Sequence, residues 1–562
     1  MMNAFPIGTS ALAAGQRGLD LVGQNLANAT TPGYHRQALN LVNRVTGDVL
    51  GSGVDVASLT RYTTAPVRTA ILSGNADQGT FDTRLEIRRQ IEATFGAGEG
   101  GIGDGLDSFF NQVEKLTSLP DSAAARRPIL AAAGNLARQF NSAAGTIDRM
   151  RADIAGRVSQ EVSTVNDYAK RVADFNLRIS IREQGGDQAN DLRDQRDQLV
   201  NDLSKLIDIK TVDQPFGVVN VIANGAAVVV GEFPNVFQVG PDASGNLAVT
   251  QSGSTQPVGF KTGTLGALLR EHNVDIPATR TRLDALAGEL ARNVNQVQAT
   301  GLGLSGPLTV DTGTTSVTAP TAPLNAAGLP FPVQAGQLTV SVTDTATGNR
   351  TNTTVSIDPT TDSLQSLATA FGGIPGLTAS VTAGNQLQLQ AQSGFAFDFA
   401  GRDTNPPGGG AVANTDTAGV LSALGVNGLF SGSTAISLAV RPEVASNPNL
   451  LAASRTGQPG DGTNQERFAA LRDRPVLAGR TFGAEFADQA ASIGTDVKTI
   501  GDTQTAQAGV MQALFAQEQS VTGVDANEEL VKLLDYQRMV QGASKYLAVV
   551  NGALDEIMNI IR

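Results

Sequence analysis

Phe5, Leu12, Leu19 and Leu26 recur every seven residues near one end of the chain, and Leu533, Val540, Leu547, Leu554 and Ile561 repeat that interval near the other. Tyr536, Ala543, Val550 and Ile557 fill the positions three residues further on. A repeat of seven keeps an apolar seam turned toward a partner helix, so the spacing predicts coiled-coil helices at both termini. At the first end the companion positions are Gly8, Gly15, Val22 and Ala29, small enough for another backbone to come close. The large seam residues are therefore candidates for packing between copies of the chain. One helix pair covers only a stripe of each member, so the pair is expected to be marginal alone and to order fully once neighbours bury the other faces.

Between the ends, apolar residues three and four apart predict helices over 81–95, 106–119, 123–183, 189–207, 277–300 and 481–519. Ile147, Met150, Ile154, Val158, Val165, Val172 and Ile179 mark one face of the longest. Two stretches alternate instead. One covers 209–261, around "GVVNVIANGAAVVVGE"; the other lies near 306–430, with "QLTVSVT", "TTVSI", "QLQLQAQ" and "FAFDF". The expected fold class is multidomain α+β: a terminal coiled coil, a discontinuous long-helix domain and inserted β-rich outer domains. The expected boundaries are 1–60 for the first part of the coiled-coil core and its connecting segment, and 61–208 for the first part of the helical domain. A small β region follows at 209–262, then a returning helical segment at 263–305 and the inserted β-rich domain at 306–435. A linker and the last part of the helical domain occupy 436–524, and the closing core helix 525–562.

Residues 25–34 read "NLANATTPGY". Pro32 turns Thr31 away from helical geometry and ends the first helix near Ala29 or Thr30. Thr31-Pro32-Gly33-Tyr34 suits a type II turn, with Gly33 supplying the positive φ. Asn25 and Asn28 lie one turn apart and place two amides beside that corner.

Composition narrows the chemistry. The chain has 562 residues and a net charge of −12, which argues against nucleic acid or an anionic membrane as partner. No run approaches the roughly 18 apolar residues needed to span a bilayer, and no cleavable secretory signal is visible. With no Cys and two His, thiolate catalysis, disulfides and the usual zinc sites are excluded. Residues 301–460 hold 12 charged residues and no Lys, against 82 in the other 402, which sets the β insert apart as a weakly charged outer module. "GAGEGG" at 96–101 fits G-x-G-x-x-G but follows a helical pattern rather than a strand, so it reads as a loop between helices. His35 and His272 are expected in surface or capping roles. Asp191, Asp194, Asp197 and Asp202, alternating with Arg193 and Arg196, are expected to form a solvated, salt-bridged helix face. No catalytic, cofactor or metal residue is assigned.

"NLANATTPGYHRQ", followed by "GSGVDVASLTR", resembles the N-terminal signature of the axial proteins of the bacterial flagellum, the rod, hook and hook-associated proteins. Asn25, Asn28, Thr31, Pro32, Gly33 and Tyr34 all match that motif. "GEGGIGDGLDSFFNQVEKLTSLPDSAAARR", "ANDLRDQRDQLVNDLS", "GTLGALLREHN", "LDALAGELARNVNQVQATG", "GVLSALGVNGLFSGSTAISLAV", "NPNLLAAS" and "PGDGTN" are similar to the first hook-associated protein family, as is the closing stretch from "SVTGVDANEELVKLLDYQRMV". Two departures are Gln298, where relatives often have His, and "RYTTAPVR", which lacks an acidic residue; both are expected to be polar changes at the surface. The resemblance implies a structural subunit rather than an enzyme, exported unfolded by the flagellar type III route and placed outside the cell at the hook–filament junction. It implies as partners further copies of the chain, the hook protein, the next hook-associated junction protein and a cytosolic export chaperone. The alternatives are another axial protein of hook or rod type, or an exported adhesin or enzyme that uses the β insert.

Overall fold

In the computed structural model, which describes residues 4–44, 51, 53–96, 100–186, 188–402 and 414–561, helices follow the three-and-four spacing of apolar residues closely. Chain order begins with α1 (Ala4–Ala27), an antiparallel hairpin of β1 (Gln37–Asn43) and β2 (Val54–Arg61), and α2 (Ala65–Phe95). Next come α3 (Ile102–Thr117), the 62-residue α4 (Ala123–Gln184) and α5 (Asn190–Leu206). Strands β3 (Ile209–Asp213), β4 (Val219–Ala223), β5 (Ala226–Val230) and β6 (Phe233–Pro234) form one sheet in that order, and β7 (Phe237–Pro241) pairs with β8 (Leu247–Gln251). Helix α6 (Gly263–Arg270) runs through a π-helical turn at Glu271–Asp275 into α7 (Ile276–Ala299).

The β insert contains two three-stranded sheets. One has β10 (Gly336–Asp344) between β11 (Arg350–Ile357) and β14 (Phe395–Asp398); the other has β13 (Leu387–Ala391) between β12 (Leu377–Val381) and β9 (Val310–Thr312). Helix α8 (Leu364–Gly372) interrupts them and starts at a capping box between Ser363 and Ser366. Two five-residue helices, α9 (Val420–Leu424) and α10 (Pro442–Ser446), precede α11 (Thr463–Ala470), α12 (Phe482–Thr522) and α13 (Ala526–Ile561). The molecule is thus a mixed α+β protein whose sheets and long helices alternate along the chain.

Two compact units are assembled from separated segments: Met1–Ile87, Asp153–Asn273 and Lys498–Arg562 in the first, Arg88–Ala152 and Val274–Val497 in the second. In the first, α4 presents Ile154, Val158, Val165, Val172 and Ile179 as one buried stripe. Asn176, on the same stripe, donates to the carbonyls of Val219 (2.8 Å) and Gly231 (2.7 Å), which clamps the helix to the four-stranded sheet. Strand β4 alternates buried and half-buried residues, as a one-sided strand must. Asn224 and Gly225, both at positive φ, close its hairpin with β5.

In the second unit, Phe109 packs edge-on to Phe110 (5.2 Å between centroids), and Phe430 and Phe482 extend the cluster. Alongside it runs a set of buried amides on α7. Asn295 accepts from the backbone of Leu429 and Phe430 and donates to the Phe430 carbonyl. Gln298 is fully buried, donating to the Leu450 carbonyl (2.9 Å) and accepting from the Ala452 amide (3.0 Å). This corrects the expectation of a surface residue: a side chain with one donor arm and one acceptor can satisfy two loop groups at once, so burial leaves none of them unpaired. Asn464 reaches the carbonyls of Val297 and Ala452 from α11. In the "PGDGTN" loop, the Asp461 carboxylate accepts from the hydroxyls of Ser454, Thr456 and Thr463 as well as from backbone amides. Burial works against its charge, yet these donors hold its carboxyl well below the usual range.

The "GAGEGG" stretch falls partly on residues 97–99, outside the described residues, and stands between α2 and α3.

Candidate assembly site: the terminal helix pair and its turn

Helices α1 and α13 pack antiparallel within one chain. Gly8 lies under Leu547, Gly15 under Val540 and Gly18 under the Tyr536 ring. A side-chain carbon at Gly8 would stand 2.6 Å from Leu547, and one at Gly15 would stand 2.7 Å from Val540. Large residues of α13 therefore drop into glycine hollows on α1. Glycine costs a helix interior about 1 kcal/mol relative to Ala, a cost that this close approach explains.

The row facing α13 is thus Gly8, Gly15 and Gly18. Of the large seam residues on α1, Phe5 is 46% exposed and Leu26 38%, while Leu12 and Leu19 are half-buried. On α13, Leu533, Tyr536, Val540, Leu547, Val550 and Ile557 are half-buried and Leu554 is exposed; the Ile561 side chain lies outside the described residues. The pair also leaves Leu530, Leu534, Val549 and Met558 open. Apolar surface in this quantity on two helices that cover only one stripe of each other is typical of an interaction face.

The end of α1 is tied to everything around it by one amide. Asn25 is wholly buried; its nitrogen donates to the Gln37 carbonyl and to Glu529 Oε2, both at 2.9 Å. Its oxygen accepts from the Tyr34 hydroxyl (2.7 Å) and the Gln37 amide (3.1 Å). Four bonds use its full capacity and join α1, the turn, β1 and α13. Glu529 is also wholly buried, with Lys532 at 2.7 Å from its second oxygen. Asn28 reaches back to the Gln24 carbonyl and accepts from the Thr31 hydroxyl. The Tyr34 amide donates to the Thr31 carbonyl at 3.2 Å, and Gly33 has φ +78°, the geometry of a type II turn. Pro32 and Gly33 are exposed and stand between two grooves, of about 960 Å³ against α12 and about 620 Å³ against α4 and α5.

Burial, then the charges of Asp194, Asp191 and Glu529, push the Tyr34 phenol from 10.0 up to about 12. A raised phenol adds stability that is complete below pH 10 and is lost as pH rises through about 12. Tyr536 is also raised, by burial and by Glu529. In an ultraviolet pH titration, two of the five tyrosines should therefore ionise late, and Tyr34→Phe should remove one of them.

Behind the turn lies a charge cluster that corrects the reading of α5 as a solvated face. Asp197 is buried and accepts from Arg61 (2.8 Å), Arg68 (2.7 Å) and Arg196 (3.2 Å). Asp194 takes Arg61 Nε at 2.7 Å and His35 Nδ1 at 2.8 Å, so His35 is a member of this cluster rather than a surface residue. Only Asp191 and Asp202 stay on the outer face. The partners Arg61 and Arg68 lie more than a hundred residues upstream, beyond what helical spacing reveals. Gln37 and Glu529 carried no sequence signal either; the glycines at 8, 15 and 18 did, as residues that helix propensity alone disfavours. The remaining motif-side contacts run through Arg36, which bonds Glu528 at 2.7 Å and lies over the Tyr62 ring.

Asn25→Ala would strand the Tyr34 hydroxyl, the Gln37 backbone and one Glu529 oxygen. The expected loss is about 3 kcal/mol, at roughly 1–3 kcal/mol for each unsatisfied buried group with some relaxation. Urea unfolding of the full chain, followed by tyrosine signal, measures it.

Among the described residues no cluster of His, Cys, Asp and Glu suits a metal ion, and no helix is long and apolar enough to cross a membrane. Residues 88–314 match the model of the flagellar hook-associated protein FlgK helical domain. Flagellar hook-associated protein 1 of Salmonella typhimurium is 26% identical over 98% of both chains, and that of Escherichia coli K12 is 24% identical over the same shares. The solved flagellar hook junction protein FlgK of Burkholderia pseudomallei superposes with a TM-score of 0.53 at 16% identity, covering 81% of this chain and all of that one. The chain is thus similar from end to end to flagellar hook-associated proteins 1, with the helical-domain model matching within that stretch.

Proposed function

We propose that the chain is a structural subunit of the bacterial flagellum that forms the junction between hook and filament, assembling side by side with its own copies through α1 and α13. The observation that carries this reading is the apolar surface left open on the helix pair, Phe5 and Leu26 on one member and Val549, Leu554 and Met558 on the other. Such a surface becomes stable when neighbouring pairs cover it, and a ring or helical layer of copies does so without leaving an open face. The role that this reading gives the chain is mechanical. Hook protein on one side, the next hook-associated protein on the other and an export chaperone in the cytoplasm are the partners this reading requires. Its location is extracellular, in the flagellum.

Cells that lack the chain should keep their hooks and shed filament subunits into the medium. Chains lacking residues 1–30 or 533–562 should be absent from isolated flagella, whereas removal of 306–430 should leave incorporation intact. Termini that prove dispensable while the β insert is required would favour an adhesin or enzyme instead. In dilute monomer, amide exchange over 5–27 and 535–560 should be faster than in the buried stretches of α4, and it should slow on assembly.

A further inference from the structure

The outer face of α4 within the second unit carries a pattern that its core does not require. "AAGNLAR" at 132–138 recurs as "AAGTIDR" at 143–149, an interval of 11 residues. Three turns of α-helix take about 10.8 residues, so equivalent positions in the two copies share one face about 16.5 Å apart. The buried members, Ala133 with Ala144 and Leu136 with Ile147, build the core. The outward members are a glycine and an arginine, Gly134 with Arg138 and Gly145 with Arg149. Each guanidinium lies back along its glycine and is braced by the side chain three residues before it, Arg138 by Asn135 and Arg149 by Thr146. Arg127 continues the row one interval earlier. None of the three has a carboxylate partner among the described residues. Among the described residues, no carboxylate lines the two grooves flanking the row, of about 640 and 500 Å³. In a chain of net charge −12 this face is unpartnered, positive and lined by small residues.

We propose that this arginine row docks on the outer stripe of α5 in a second copy of the chain. That stripe reads Asp191, Gln195, Gln198 and Asp202, at offsets 0, 4, 7 and 11; the α4 stripe reads Arg138, Ser142, Gly145 and Arg149, at the same offsets. Opposite charges at both ends of two equal stripes fix register, and the short middle of one makes room for the glutamines of the other. Asp191 is exposed, and Asp202 holds Lys205 at 3.0 Å in a solvent-facing pair that exchanges partners at little cost. The acidic stripe lines the 620 Å³ groove beside the Thr31–Tyr34 turn, so docking there brings a neighbour against the motif corner. Donor and acceptor stripes are different surfaces, so the contact is head-to-tail and propagates around a layer. The inference rests on the self-assembly reading above.

The chain has no cysteine, so introduced pairs report cleanly. Flagella would be isolated from cells making two chains together, one with Ser142→Cys and one with Gln195→Cys or Gln198→Cys, and oxidised. A mixed disulfide dimer is expected with one of the two glutamine positions, and which one forms it reads the relative direction of the stripes. R138E/R149E should cut dimer yield about tenfold, and adding D191R/D202R on the other chain should restore it. Flagella that contain both chains but give no more mixed dimer than a control with Ser244→Cys would overturn the contact and leave the assembly reading standing. Unchanged yield in R138E/R149E, or no restoration by the swap, also overturns it, as would binding of anionic lipid vesicles by the row in place of the dimer. Absence of both chains from flagella would bring down the assembly reading and this contact together.

Discussion

Asp197→Ala is expected to destabilise the first unit by about 3–5 kcal/mol, the range for removing one partner of a buried ion pair. Three guanidiniums converge on this carboxylate, and two of them, Arg61 and Arg196, are themselves buried. Without it, Arg61 keeps Asp194 as a partner, but the buried Arg196 loses its carboxylate. Against a total stability of about 5–15 kcal/mol for a typical domain, the loss should produce a separate, early unfolding transition in urea. Asp197→Asn, which keeps the shape but not the charge, should fall between. Burial alone would raise this carboxyl, but Arg68, Arg196 and Arg61 outweigh it and hold it well below the ordinary 3.8. A depressed carboxyl contributes stability that is complete above the unfolded value and is lost as pH falls through the folded one. The wild-type unit should accordingly tolerate pH 4 and weaken only below it, and Asp197→Asn should flatten that dependence.

Gly18→Leu is expected to separate α13 from α1 without unfolding the rest. Any added carbon at this position enters the Tyr536 ring, and the neighbouring backbone has no room to move away because Gly15 is already in contact with Val540. Overpacking of this kind costs about 1–3 kcal/mol in a core that can adjust and more where a helix backbone must shift. The substitution also favours the isolated helix by about 1 kcal/mol, so α1 should stay helical while the pairing is lost. Limited proteolysis should then cleave within 526–561 much faster than in the wild type, with the second unit still resistant. Gly18→Ala should show the same effect in smaller degree; normal resistance in Gly18→Leu would mean that α13 is held by something other than this seam.

The long helices were legible because their apolar periodicity extends over many turns: Ile147 through Ile179 read as one face and are buried as one face. The terminal heptads were legible as helices, and Gly8 and Gly15 as places of close approach, whereas Gly18 lies off that spacing and its contact with Tyr536 was not. The corner at Thr31–Tyr34 could be read from Pro and Gly chemistry, whereas Asn25 bonds to Glu529 across 504 residues and no local rule reaches that far. Asp194 and Asp197 look like solvated charges in the sequence for the same reason. Alternating charges on a helix look alike whether their partners are water or arginines from another segment. Gln298 shows the converse, since a polar residue late in a helix resembles a surface position until two loops fold over it.

The glycine hollows on α1 also bear on how the two terminal helices keep their alignment. Gly8 and Gly15 are seven residues apart, as are the Leu547 and Val540 that fill them, so these two hollows alone would accept α13 slid along by one step of about 10 Å, while Gly18 under Tyr536 has no such repeat. The bond from Asn25 to the Glu529 carboxylate fits one setting only, since a slip would break it and leave Glu529 with Lys532 alone. The smooth part of the contact thus works as a rail and the amide as its detent.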